Sequence, residues 1–322
     1  MANIATAQER LFALREQIAR MEGKPIPALA AAERTDAAQD PDLQKAIENK
    51  PRLSFGISAV DAALEGGLPL DAITEIRTGR MRDAGAASGF ALALSALIQA
   101  KTEGKVADYQ PVLWIRDVVS TNEAGAPYAV GLQHFGLQHQ AFMQASPRRL
   151  EDVLWLAEAA VASGALAAVI LEVRGNPSHF GLTESRRLSL RAKTAGRPLF
   201  LLRHAGEEEA SSAAFRLLAE PAPASGRRLP DGSMLGGSIG HPVFRLTLEK
   251  SRNPAPFSVL LEWNSRVRQF SPVQEAAAFR DAAEPFAFRN QPAYPGTGFP
   301  ASADRPDRPS ALGAVVAFDR AS

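Results

Sequence analysis

Residues 73–97 read ITEIRTGRMRDAGAASGFALALSAL, and this stretch decides the fold class. An apolar, strand-like run around Ile73 and Ile76 leads into a turn that holds three glycines. From Phe90 the sequence is rich in Ala and Leu, which predicts a helix. A strand, a Gly-rich turn and a helix in that order are typical of α/β proteins that hold phosphate groups at a helix N-terminus.

The turn lacks residues that a working phosphate-binding loop needs. The motif G-x-x-x-x-G-K-[ST] places a Lys on the β- and γ-phosphates and a hydroxyl on Mg²⁺. Here no lysine occurs between Lys50 and Lys101, and we expect the ring of Phe90 to point toward the phosphates. We predict a degenerate site that has no catalytic residues and binds ATP weakly at most. Its loop glycines are Gly79, Gly85 and Gly89.

The composition is that of an ordinary globular chain, and it excludes several classes of protein. Of the 322 residues, 46% are hydrophobic and 22% are charged, and the net charge is +1. The absence of cysteine excludes disulfides and thiolate metal sites, and five histidines without an H-x-x-x-H pair argue against a metal centre. No apolar run reaches the roughly 20 residues of a membrane span. We predict a cytoplasmic protein without a membrane contact.

The N-terminal region, residues 1–50, predicts an amphipathic helix and a linker. Over residues 6–22, apolar side chains recur at three- and four-residue spacing. They are Leu11, Leu14, Ile18 and Met21. An Ala-rich linker at 25–42 follows, so the helix either docks on its own domain or binds a partner or a second copy of the chain.

The core, residues 51–270, alternates apolar strands with helices, which predicts a mostly parallel sheet covered on both faces. We predict buried strands at 111–117, 166–173 and 198–203. Helices are predicted at 150–163 and 184–195, the second with Thr183 as its N-cap and Gly196 just past its end.

The last part of the core has a different pattern. FRLTLEK (244–250) and FSVLLEW (257–263) alternate apolar and polar residues, which predicts an antiparallel hairpin at the edge of the sheet. The polar, Gly- and Pro-rich segment 206–241 predicts a long loop. Residues 271–322 predict a disordered tail, with an apolar island at 311–320 that is either a partner motif or an idle terminus.

The motifs resemble the core of the RecA ATPase. LSFGISAVDAALEGGLPLDAITEIRTG (53–79) is similar to the entry of that core, and VLWIRD (112–117) to the strand that ends in its catalytic glutamate. SGALAAVILE (163–172) is similar to the Walker B strand. The resemblance implies a RecA-like core, with Asp117 and Glu172 as acidic residues of the degenerate nucleotide site. Without the lysine, we interpret both as inherited acids on the rim of that site.

Within the RecA superfamily, the chain most resembles the ImuA family of bacterial mutagenesis cassettes. The blocks that support this are LREQIARMEG (14–23), ESRRLSLRAKTAGRPLFLLR (184–203) and the hairpin sequence. The resemblance implies an adaptor in an SOS-induced translesion synthesis complex. Its partners would be ImuB, an inactive Y-family polymerase homologue, an indirectly bound error-prone C-family polymerase, and RecA or single-stranded DNA.

Basic residues after position 185 predict a surface for DNA or for an acidic partner, against the simpler interpretation of a solvated helix face. The residues of this predicted surface are Arg186, Arg187, Arg191, Lys193, Arg227 and Arg228. Arg197 and Arg203 lie close to them in sequence. Two other functions fit the same motifs: a DNA-stimulated ATPase that remodels RecA filaments, and a cell-division inhibitor of the SulA type.

Overall fold

The structure, a computed structural model, describes residues 51–102, 110–231, 233–235, 238–251 and 256–273. The predicted N-terminal helix with Leu11, Leu14, Ile18 and Met21 lies outside the described residues, and so does the chain beyond Val273.

Nine strands form one large sheet. In chain order these strands are β3 (Ile73–Thr78), β4 (Val112–Arg116), β5 (Phe142–Ala145), β6 (Ala168–Arg174), β7 (Leu199–His204), β8 (Phe215–Ala222), β11 (Val243–Lys250), β12 (Ser258–Asn264) and β13 (Gln269–Pro272). Their order across the sheet is β13-β12-β11-β8-β3-β7-β6-β4-β5. The six strands from β8 to β5 pair in parallel, and β11, β12 and β13 continue the sheet antiparallel. Two small sheets pair β1 (Arg52–Leu53) with β2 (Leu68–Pro69) and β9 (Arg227–Arg228) with β10 (Met234–Leu235).

Helices cover the sheet in two layers. They are α1 (Ser58–Ala63), α2 (Ala84–Thr102), α3 (Val118–Ala124), α4 (Ala129–His134), α5 (Leu150–Ala162) and α6 (Leu182–Ala195). Helices α1, α2 and α4 contribute apolar side chains to the core on one face of the sheet. Helices α5 and α6 contribute to the core on the opposite face. The predicted α/β class, with a mostly parallel sheet and an antiparallel hairpin, is confirmed.

The apolar runs became the central strands because these strands are covered on both faces. Every residue of β4 and β7 is buried, and in β6 only Arg174 is exposed. The hairpin is also confirmed: β11 pairs with β12 on one side, and β8 on its other side joins it to the parallel strands.

Two helix starts differ from the prediction. Helix α2 begins at Ala84, six residues before Phe90, after a 3₁₀ turn at Met81–Asp83. Helix α6 begins at Leu182, and Gly181 rather than Thr183 is its N-cap. The Glu184 carboxylate accepts a hydrogen bond from the Gly181 N–H at 2.9 Å, so the side chain at the third helical position holds the start of α6. Gly196 ends α6 in the left-handed conformation, as predicted (φ 62°).

The prediction of a long loop over 206–241 was wrong, because the segment contains β8. Phe215, Leu217 and Ala219 face the core that contains α2, while Arg216 points to the other face. That alternation was present in the sequence, but the Gly, Ser and Pro residues around it favoured a loop. The strands β5 and β13 were not predicted either, and β13 takes the sheet past the predicted core boundary at residue 270.

Candidate functional site

The connection from β3 to α2 comprises residues 79–83 and ends in a 3₁₀ turn. After Thr78 only Gly79 and Arg80 precede the 3₁₀ turn, and Gly85 and Gly89 lie inside α2. The prediction that these two glycines lie in a loop was therefore wrong. Alanine is the best helix former. The segment AGAAS (84–88) therefore extends the helix toward its N-terminus, and its backbone is helical.

Gly89 has a packing role. A Cβ atom added there would lie 3.1 Å from Cε1 of Phe244 and 3.5 Å from Cζ of Phe135. The next residue, Phe90, is fully buried. The prediction that its ring points toward a phosphate site was therefore wrong. Its ring stacks on that of Phe55 at 6.3 Å and contacts the ring of Phe270 at 5.7 Å between centroids. Helix α2 is thus packed against aromatic rings at Gly89 and Phe90, where the sequence predicted a loop glycine and a ring that faces phosphate.

Glu172 was expected on the rim of the nucleotide site, but it is a core residue. It is 1% exposed, its Oε2 accepts a hydrogen bond from Trp114 Nε1 at 2.6 Å, and its Oε1 lies 3.1 Å from His204 Nε2. On the far side of the imidazole, Thr78 Oγ1 lies 3.5 Å from Nδ1. A row of polar side chains therefore crosses four neighbouring strands, β4, β6, β7 and β3, and uses both oxygens of the carboxylate.

Asp117 caps a helix. It is the N-cap of α3, and its Oδ1 accepts a hydrogen bond from the Ser120 N–H. Its Oδ2 accepts a hydrogen bond of 3.3 Å from the N–H of Arg174, at the end of β6. Ligands of α/β sheets bind where the connections from neighbouring strands diverge, and here those strands are β4 and β6. Asp117 therefore links the end of β4 to the end of β6, and its carboxylate oxygens both accept hydrogen bonds from the protein itself.

Arg116 is a buried cation beside this crevice. It is 3% exposed and donates hydrogen bonds to the Gly125 carbonyl and to Gln144 Oε1, at 2.9 and 2.7 Å. Its Nε is buried without a hydrogen-bond partner. Burial lowers the pKa of the guanidinium, and the negative charge of Glu172 partly opposes this effect.

A cavity of about 320 Å³ lies between the start of α2, the segment before α4 and the sheet. It brings together three of the five predicted nucleotide-site residues, Gly85, Gly89 and Glu172. Gly79 and Asp117 do not line it. On the side of the sheet, the cavity is lined by the carboxylate of Glu172. Its negative charge repels phosphate. This geometry does not provide the cationic cradle that phosphoryl transfer needs.

The predicted basic surface is placed in two separate elements. Arg186, Arg187, Arg191 and Lys193 are exposed on α6, whereas Arg227 and Arg228 form β9. Arg187 pairs with Glu158 of α5 at 2.7 Å. Arg197 donates hydrogen bonds to the Gly164 carbonyl and to Gln110 Oε1, which gives it a structural role.

Arg203, which lies close to the basic residues in sequence, is buried and belongs to a network that the sequence analysis missed. Glu75 Oε1 lies 3.2 Å from Arg203 Nε, and Glu75 Oε2 lies 3.1 Å from Arg216 Nη2. The hydroxyl of Ser211 donates to the same carboxylate at 2.7 Å, and Arg203 lies over the ring of Phe180. The sequence contained one sign of this network: a glutamate, Glu75, inside the apolar strand-like run ITEIRT, where a charged residue needs a buried partner.

Among the described residues, no group of three or more His, Cys, Asp or Glu side chains could hold a metal ion. The segment Met81–Ala100 is long and apolar enough to cross a membrane, but 67% of it is buried inside the protein, as in a core helix.

No protein-family model matches this chain, and no curated protein is significantly similar to it.

Proposed function

We propose that this chain is a RecA-like adaptor, without phosphoryl-transfer activity, in an SOS-induced complex that copies damaged DNA. In this proposal it is a cytoplasmic protein of the ImuA family. It binds an inactive Y-family polymerase homologue directly and an error-prone C-family polymerase indirectly. The resemblance of the sequence motifs supports the family, and the order of strands and helices fits a RecA-like core.

The observation on which the absence of catalysis rests is the start of α2 at Ala84. Gly85 and Gly89, which were predicted to lie in the phosphate loop, are helical, and Phe90 is packed in an aromatic cluster. Restoring a loop would require unwinding a turn of helix that is anchored in the core. Asp117 and Glu172 already accept hydrogen bonds from the protein, and these compete with the binding of Mg²⁺.

The decisive experiment measures ATP binding and hydrolysis by the full chain, with and without single-stranded DNA. We expect no turnover above a protein-free blank and weak nucleotide binding at most. The control variant is Glu172→Gln, which keeps the shape of the side chain and an acceptor for Trp114. Turnover that DNA stimulates and that Glu172→Gln abolishes would contradict the adaptor proposal and establish a DNA-stimulated ATPase.

The exposed cations of α6 are the proposed contact with DNA or with an acidic partner. The double variant Arg186→Glu/Arg191→Glu avoids Arg187, which the pair with Glu158 occupies. We expect weaker binding of single-stranded DNA and a salt slope that is smaller by about 0.7 for each phosphate that the variant no longer neutralises. An unchanged binding isotherm would show that this helix face is only solvated.

A further inference from the structure

A second cavity, of about 330 Å³, lies at the amino-terminal edge of the parallel sheet. Asp71 directly precedes β3, Ser212 lies shortly before β8, and Lys250 ends the antiparallel strand β11. The cavity is therefore at the opposite edge from the carboxyl ends of the strands, where the degenerate nucleotide site was predicted. Helix α6 provides Ser189 and Lys193 as a further part of its wall.

The charges that line this cavity do not balance. Three cations, Arg52, Lys193 and Lys250, face two carboxylates, Glu65 and Asp71. Arg52 lies 3.6 Å from Glu65 and also donates hydrogen bonds to the carbonyls of Leu64 and Gly67, so this pair is satisfied within the wall. Among the described residues, no carboxylate forms an ion pair with Lys193 or Lys250.

The side chain of Lys250 is held beside further positive charge. Its Nζ donates to the Ser211 carbonyl, and the Ser211 hydroxyl lies 3.1 Å from Arg216 Nη2. The buried carboxylate of Glu75, whose negative charge partly opposes the effect of Arg216 on Lys250, already accepts hydrogen bonds from Arg203, Arg216 and Ser211. Burial, followed by the charge of Arg216, lowers the pKa of Lys250. An anion in the cavity would relieve this repulsion.

The residue types in the wall suit an oxyanion. Ammonium groups and hydroxyls donate charge-assisted hydrogen bonds to phosphate, and the apolar wall of Pro69, Ala213 and Phe215 excludes some of the water that would compete. We propose that this cavity binds a phosphate group through Lys250 and Lys193, with the hydroxyls of Ser189 and Ser212 as further donors. The site is distinct from the degenerate nucleotide site, because it lies apart from α2 and from the cavity beside Glu172. It shares one cation, Lys193, with the proposed contact on α6.

Thermal unfolding of the full chain tests this site, with inorganic phosphate titrated at constant ionic strength against sodium chloride. A ligand that binds only the folded state raises Tm with saturation. We expect that Lys250→Met and Lys193→Gln each weaken the apparent affinity for phosphate by about tenfold or more, since each removes a charge-assisted hydrogen bond. Asp71→Asn is expected to increase the affinity for phosphate, because it removes a negative charge from the cavity wall.

The control is Arg82→Gln, which removes an exposed cation, 72% accessible, outside this cavity and next to the N-terminus of α2. It should respond to phosphate as the wild type does. Lys193 is exposed, so its variant stays folded even if Lys250→Met does not. No shift of Tm beyond the chloride control, or an equal shift in all variants, would overturn the proposal. A single-stranded oligonucleotide that displaces phosphate would assign the group to DNA, and one that does not would assign it to a small phosphorylated molecule.

Discussion

Two glycines of α2 show how the same residue type serves different purposes one turn apart. Gly85 is exposed, and a Cβ added there meets no atom within 4 Å. Gly89 is in close contact with the ring of Phe244, which makes it a packing position. Neither position needs a positive φ. Both glycines were predicted to cradle phosphate, and the structure instead gives one of them a role in the aromatic core.

We therefore expect alanine to be more favourable at position 85 than at position 89. Gly85→Ala should raise the free energy of unfolding by at most about 1 kcal/mol, the difference in helix propensity. Gly89→Ala should gain less or become destabilising, because its Cβ would lie 3.1 Å from Phe244. Urea denaturation of both variants measures the difference. Equal stabilities would contradict the packing role of Gly89.

Glu75 is the residue at which loss of charge should cost most. Its carboxylate is 1% exposed and compensates two buried arginines, Arg203 and Arg216. Glu75→Gln removes the counter-charge of Arg216 and leaves Arg203 only the exposed carboxylate of Glu209 at 3.9 Å. Removing one partner of a buried pair typically costs about 3–5 kcal/mol. The free energy of unfolding in urea is the measurement.

The matched control for that prediction is Glu151→Gln. Glu151 pairs with Arg149 on the surface, where both side chains are largely exposed. Its loss should cost less than about 1 kcal/mol, since solvent screens such pairs. A similar cost for the two variants would show that the Glu75 network contributes no more than a surface ion pair.

At the scale of elements, the start of α6 depends on Glu184. Its carboxylate accepts hydrogen bonds from its own N–H and from that of Gly181, and these lower its pKa from the ordinary 4.5. A lowered pKa in the folded state means that the stabilisation is present above the unfolded pKa. It is lost as the pH falls through the folded pKa.

Glu184→Gln should therefore lower the stability at neutral pH, by less than about 1 kcal/mol because the group is accessible to solvent. The difference from the wild type should shrink toward zero at acidic pH, below the folded pKa. Urea unfolding across that pH range measures it, with exposed Glu207→Gln as the control. A difference that does not change with pH would mean that the carboxylate's charge does not stabilise α6.

At the scale of the whole molecule, β13 is the last strand of the part of the chain that the structure describes. Trp263 pairs with Phe270 in the β12–β13 ladder, and the Val273 N–H donates to the Leu260 carbonyl at 2.9 Å. A truncation at residue 271 would remove part of this strand. A test of the C-terminal region as a partner motif therefore has to begin after Val273.

We expect that deletion of residues 274–322 leaves the Tm almost unchanged, because β13 and its hydrogen bonds remain intact. The same deletion should abolish capture of the proposed Y-family polymerase homologue, if the apolar island at 311–320 is the contact. A pull-down with purified partner and a thermal melt are the two measurements. Capture that survives the deletion would move the contact to the core or to the N-terminal region.

The sequence alone determined the α/β class, the central strands and the hairpin. Near-continuous apolar runs such as AVILEV fit a strand covered on both faces, and alternation from Phe244 to Lys250 fits a strand with one wet face. These signals are local, so they can be read without knowing the neighbours. The alternation of β8 was equally present, but the turn-forming residues around it concealed it.

Tertiary structure alone decided which polar residues face inward. Glu75 and Arg203 are far apart in the chain and pair because β3 and β7 are neighbours in the sheet. Glu172 became a buried hydrogen-bond acceptor because Trp114 and His204 project from the strands on either side of it. Helix α2 is held against the sheet by packing of Phe90 on Phe244 and Phe270, which lie on distant strands. The sequence does not distinguish a charged residue or a glycine in the core from one in a helix cap or a loop. Only the tertiary structure decides which side chains it contacts.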